Sequence, residues 1–128
     1  MKKKFITRPG THAAPTYSHA VKAGNTIYLA GHVGRDVDGK VVEGDIGAQT
    51  AQAFENLGRT LEACGATFAD IVKLTIHLTD IETMSVVREV RSRYLTPPMP
   101  ASTAVEVVRL APGVLIEIDG TAVIDDDA

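Results

Sequence analysis

Residues 100–123, PASTAVEVVRLAPGVLIEIDGTAV, read as two apolar strands around a tight Pro112-Gly113 turn. The strands run about Ala101–Leu110 and Val114–Ile124. Glu117 stands between Ile116 and Ile118. Strand alternation places Leu115, Glu117, Asp119, Thr121 and Val123 on one face, and Val114, Ile116, Ile118, Gly120 and Ala122 on the other. A carboxylate in so apolar a run has two readings. It points to solvent at a sheet edge, or it stands in an apolar-walled cleft. Burial in a cleft lifts a carboxyl towards the range useful for general acid–base work.

Outward from this stretch, the Pro97-Pro98-Met99-Pro100 corner stops a helix spanning about Glu82–Leu95, with Val86, Val87, Val90 and Tyr94 on its buried face. Before it, DIVKLTIHLTD alternates as a strand. Val72, Leu74, Ile76 and Leu78 face one way; Ile71, Lys73, Thr75 and His77 face the other. Asp45 is a good N-cap for a helix over about Ile46–Cys64, whose stripe is Ala51, Phe54, Leu57, Leu61 and Cys64. Gly65 follows as its terminator. TYSHAVKAGNTIYLAGHVG holds two β-rich runs around Ala23-Gly24-Asn25, and the second breaks at Gly31 and Gly34. A glycine inside a strand marks a bulge or a close approach by another group. Residues Lys40 to Glu43 read as a short extra strand.

The order β-β-(β)-α-β-α-β-β predicts one α+β domain over residues 1–128, with about six strands and both helices on one face of a mixed sheet. The ends, 1–4 and 125–128, read as solvated and flexible. The half-apolar sheet face left without helices is expected to be covered by another copy of the chain.

Bulk properties narrow the function. Net charge is −3, with no basic cluster beyond Lys2-Lys3-Lys4 and no tryptophan, which argues against a nucleic-acid binder. No apolar run approaches the roughly 18 residues of a membrane span, and there is no secretory h-region. A single cysteine, Cys64, fits a reducing cytoplasm and lies on the first helix's apolar stripe, so it reads as core. His12, His19, His32 and His77 have no metal-ligand spacing, and no nucleophile elbow occurs. Carboxylates remain the best candidates for chemistry.

YLAGHVGRDVDG, ADIVKLTIHLTDI and PASTAVEVVRLAPGVLIEIDGTAV together resemble the RidA/YjgF family of imine and enamine deaminases, collinearly from about Tyr17 to Val123. The resemblance implies a chorismate-mutase-like fold. It implies a homotrimer with the sheets as a central barrel, and a cleft at each subunit interface. It implies hydrolysis of a small 2-imino acid, formed from an enamine, to a 2-keto acid and ammonia, with no cofactor and no metal. By position, Tyr17 matches the family's cleft tyrosine, and Glu117 the carboxylate that positions water. Gly31 matches the glycine whose backbone meets substrate.

Four positions depart from the pattern. The strand end reads Ala30-Gly31-His32 where relatives usually have Ser-Gly-Gln, so His32 is open either to a ligand-binding role or to capping the bend. Ser102 replaces the arginine that grips the substrate carboxylate, and Ala104 replaces a common cysteine. A charge-assisted hydrogen bond contributes about 1.5–3 kcal/mol, which a neutral hydroxyl does not match. Arg88, on the second helix, reads first as a solvated helix arginine paired with a neighbouring glutamate; the other reading is that it supplies a compensating charge. The departure at Ser102 argues for a hydrolase of small imines, enamines or unsaturated metabolites that differs from a standard 2-iminobutyrate deaminase. The alternative function is a trimer that binds a small molecule without turnover.

Overall fold

The computed structural model describes residues 2–10 and 16–125. His12 and the acidic end beyond Asp125 lie outside the described residues.

Eight elements follow in chain order: β1 (Lys3–Ile6), β2 (Ala20–Ala23), β3 (Thr26–Val33), α1 (Ile46–Ala63), β4 (Ile71–Leu78), α2 (Met84–Arg91), β5 (Ala101–Glu106) and β6 (Ile116–Val123). They form one six-stranded sheet, ordered β1-β2-β3-β6-β4-β5. The two strands of residues 100–123 are therefore not neighbours. β4 lies between them, parallel to β5 and antiparallel to β6. β6 also pairs antiparallel with β3, so the last strand inserts between β3 and β4. Both parallel crossovers, β3-α1-β4 and β4-α2-β5, carry a helix, as parallel connections need. α1 packs on both β3 and β6, and α2 packs against α1.

α1 begins where its cap predicts. Asp45 is extended, and its carboxylate accepts from Ala48 N at 3.1 Å, satisfying one orphan donor of the first turn. Gly65, at φ 78°, closes it. Phe54, Leu57 and Leu61 are fully buried against Ile27, Ile76, Ile116 and Ile118 of the sheet. Cys64 is buried at the end of the same stripe.

Four expectations change. β4 carries one extra residue relative to β6: Ile71 pairs with Ala122, but Lys73 pairs with Thr121. The bulge reverses the first turn of the alternation, so Ile71 joins the core and Val72 is exposed. The open sheet face therefore carries Lys73, Thr75 and His77, without Ile71. Lys3 and Lys4, expected in a solvated tail, pair with Ala23 and Lys22 as part of β1. Residues 40–43 give only an isolated bridge, Arg35 to Val41. The second helix is shorter than its pattern. A 3₁₀ turn at Ile81–Thr83 leads in, and Ser92 Oγ donates to Glu89 O at 2.6 Å at its end, taking a helix carbonyl. Val87 and Val90 are buried with Met84, whereas Val86 is exposed.

Candidate functional site

The site begins at an irregularity in β3. Leu29 pairs with Gly120 and His32 with Ile118, so Ala30 and Gly31 together oppose Asp119. This β-bulge turns Gly31 towards the side chain of Glu117. A Cβ at Gly31 would lie 2.6 Å from Glu117 Cδ and 2.7 Å from its Oε2. No side chain larger than hydrogen fits while the carboxylate stays in place. Glu117 is half-buried on a central strand, flanked by Ile116 and Ile118, which are fully buried on the helix side.

His32 holds the bulge from beneath. Its ring is buried on the helix side of the sheet, with Nδ1 2.6 Å from Ala30 O and Nε2 2.8 Å from Thr60 Oγ1. A carbonyl only accepts, so Nδ1 carries the proton and Nε2 accepts from the Thr60 hydroxyl. Arg8 Nη1 donates to the same hydroxyl oxygen at 3.4 Å. Burial, with Arg8 and His19 nearby, pushes the His32 pKa down to about 4, although the Ala30 carbonyl opposes the shift. Both nitrogens are occupied and the ring is neutral at physiological pH. Of its two open roles, His32 occupies the bend-capping one. His19 is also held below the ordinary histidine range, by burial and then by Arg8.

Two amides on α1 position the strands from the same side. Gln49 Nε2 donates to Gly113 O at 2.9 Å, and its Oε1 accepts from Leu115 N at 2.8 Å, locking the turn that feeds β6. Asn56 Nδ2 donates to Val33 O and Arg35 O at 3.0 and 2.8 Å, holding the chain as it leaves β3. Both side chains are buried. Sequence reasoning missed Gln49, Asn56 and Thr60. Their signal was available: polar residues seven and four apart on α1, inside a face otherwise built of apolar groups.

The remaining predicted residues separate into two places. Tyr17 is exposed and meets the His19 ring edge-on at 6.2 Å. Ser102 and Ala104 pair in register with Leu74 and Ile76, so they face the helices, opposite to Glu117. Within one chain the carboxylate and the Ser102 position lie on opposite faces of the sheet. Arg88 is exposed, and among the described residues its side chain has no hydrogen bond or ion pair; Glu89 pairs with Arg93 at 3.8 Å instead. The arginine against Ser102 is Arg91, whose Nη1 donates to Ser102 Oγ at 3.3 Å. Sequence reasoning missed it because the contact joins the end of α2 to an edge strand eleven residues on.

On the open face, His77 pairs in register with Glu117, and Nδ1 lies 3.2 Å from Glu117 O and 3.7 Å from Asp119 Oδ2. Among the described residues, no three His, Cys, Asp or Glu side chains gather as a metal site would require, and no helix is long and apolar enough to cross a membrane.

Comparison with known proteins agrees with this architecture. The profile of the endoribonuclease L-PSP family matches residues 6–124. A RutC family protein of Pyrococcus horikoshii is 40% identical over 123 residues, 95% of this chain and 98% of the relative. A 2-iminobutanoate/2-iminopropanoate deaminase of Rattus norvegicus is 36% identical over 124 residues, 96% of this chain and 90% of that protein. The crystal structure of RidA from an Antarctic Psychrobacter superposes with a TM-score of 0.86 at 38% identity, covering 94% of this chain and 98% of that one. A Rid-family protein of Yersinia pestis superposes at 0.90 with 34% identity, covering 96% and 100%. With its profile, its relatives and its sheet in agreement, the chain belongs to the endoribonuclease L-PSP family, that of the RidA, YjgF and RutC proteins.

Proposed function

We propose that the protein is a cofactor-independent hydrolase that converts small 2-imino acids to 2-keto acids and ammonia, in clefts between the subunits of a homotrimer. The observation that carries this reading is Glu117, a half-buried carboxylate seated against the Gly31 bulge with no room for a side chain between them. Glu117 takes a proton from water as the water oxygen attacks the C=N carbon. The backbone around Gly31 meets the substrate, and Tyr17 borders the cleft. His32 acts behind this surface, on the bulge itself.

Arg91 alters what Ser102 implies. The strand has lost its arginine, but the Arg91 guanidinium reaches the same spot from α2, and only a neutral hydroxyl partners it among the described residues. A substrate carboxylate there would gain a charge-assisted contact. Arg91 is thus the preferred source of the compensating charge over Arg88. Because Glu117 and Ser102 face opposite sides of one sheet, a small substrate that touches both needs two copies of the chain. The exposed Phe5, Tyr28 and Val123 along the strands give a trimer apolar surface to cover.

The test is ammonia release from freshly generated 2-iminobutanoate, with Glu117→Gln as control. Turnover in the unsubstituted protein, reduced at least about 1000-fold in Glu117→Gln, is expected. Tight binding of the 2-keto acid with no ammonia release would mean a binding protein instead. Sedimentation as a 13.6 kDa monomer would remove the intersubunit cleft.

A further inference from the structure

We propose that His77 is a second proton-transfer group of the site, paired with Glu117 and oriented by Asp119. The inference rests on the hydrolytic reading above and adds the proton donor that this reading lacks. Water attack on a C=N bond needs a proton removed from the water and another delivered to nitrogen. One carboxylate does not do both at the same moment.

The geometry supports the assignment. His77 and Glu117 are direct cross-strand partners on the open face, where side chains of such pairs stand about 5 Å apart at Cβ. The Glu117 carboxylate leans the other way, against Gly31 on β3, so it does not occupy the position beside the His77 ring. The Glu117 carbonyl accepts, so Nδ1 of His77 carries a hydrogen, and the Asp119 carboxylate 3.7 Å away favours the same orientation. Nε2 has no hydrogen-bond partner among the described residues. The charged groups around the ring on this face are Glu117 and Asp119 of β6 and Lys73 of β4. Lys73 is engaged with Thr103 Oγ1 at 2.8 Å, and β5 places Val105 beside the histidine.

The proton transfers balance. As the water oxygen bonds to carbon, Glu117 takes a proton from the water and the His77 imidazolium gives one from Nε2 to nitrogen, leaving a neutral carbinolamine. Glu117 then returns its proton to the amino group, the C–N bond breaks, and His77 takes the hydroxyl proton as C=O forms. Ammonia and ketone leave, and both residues regain their starting states.

The experiment measures ammonia release from 2-iminobutanoate by the full chain and by His77→Asn, His77→Ala and Asp119→Asn. His77→Asn is expected to lower kcat about 100-fold with KM changed less than about threefold, and to erase one limb of the pH–kcat profile. Added imidazole should restore part of the His77→Ala activity, and Asp119→Asn should lower kcat about tenfold through a misoriented ring. Wild-type kcat and pH profile in His77→Asn, while Glu117→Gln is inactive, would remove His77 and leave the hydrolytic reading standing. Loss of activity in both His77 variants with both limbs retained and no imidazole rescue would mark a structural role and overturn the proposal. No ammonia release from the unsubstituted protein would overturn both.

Discussion

The β3–β6 junction and the β5 edge are built differently. At the junction, Gly31 and Glu117 sit on central strands, and α1 grips both from behind through Gln49, Asn56 and the Thr60–His32 pair. At the edge, β5 has one neighbouring strand, its first three residues are exposed, and a single hydrogen bond from Arg91 reaches Ser102. The junction keeps Gly31 and Glu117, which the family resemblance expects, and departs from it at Ala30 and His32. At the edge, Ser102 and Ala104 depart from it. A buried, multiply bonded position resists change because each partner left unsatisfied costs about 1–3 kcal/mol. An edge position tolerates change at little cost to the fold, so specificity is free to vary there.

The strongest way to break this contrast is Gly31→Ala. The new Cβ displaces the end of the Glu117 side chain, which is free to swing, so the fold should survive while the carboxylate is misplaced. We expect kcat to fall about 100- to 1000-fold with little change in thermal midpoint, measured by ammonia release and by calorimetry. Equal activity would mean that the bulge does not position Glu117.

Acid should next test the junction alone. The folded-state pKa of His32, about 4, lies below the unfolded value of 6.5, so the unfolded chain binds more protons between these values. Its stabilising contribution is complete above about pH 6.5 and is lost as pH falls towards 4. The loss is roughly 3 kcal/mol, to be read from urea midpoints at successive pH values. His19 shifts the same way, so His32→Gln should remove most, not all, of this slope. A flat stability curve would contradict the buried, neutral ring.

Asn56→Ala should cost about 2 kcal/mol, because two partly buried carbonyls, Val33 O and Arg35 O, lose their donor. At the edge the effects are smaller and fall on binding. Arg91→Ala should raise KM for 2-iminobutanoate about tenfold, with kcat and stability nearly unchanged. A change of that size in stability instead would move Arg91 from the substrate to the fold.

Much of this was legible in residues read in order. α1 was readable because its signals are local: Asp45 at the cap, apolar groups at three and four, Gly65 at the end. The two faces of β6 followed from strict alternation, and Ile116, Ile118 and Ala122 are fully buried. Alternation failed in β4, where one extra residue sends Ile71 inward and Val72 outward. A bulge is a property of two strands in register, and neither strand announces it alone. The helix carrying Arg88 was readable as well, but Arg91 is the residue that meets Ser102.

The sequence by itself determined both helices and five of the six strands, β2 to β6, the family, and the candidates Glu117 and Gly31, because capping, periodicity and motif are short-range properties of the chain. Only the tertiary structure decided that the last strand lies between β3 and β4, that Gly31 bulges onto Glu117, and that His32 turns inward. It also decided that His77 stands against the Glu117 carbonyl and the Asp119 carboxylate. These relations join residues 28 to 97 positions apart. They are set by which buried surfaces and hydrogen bonds are satisfied together, not by any local preference.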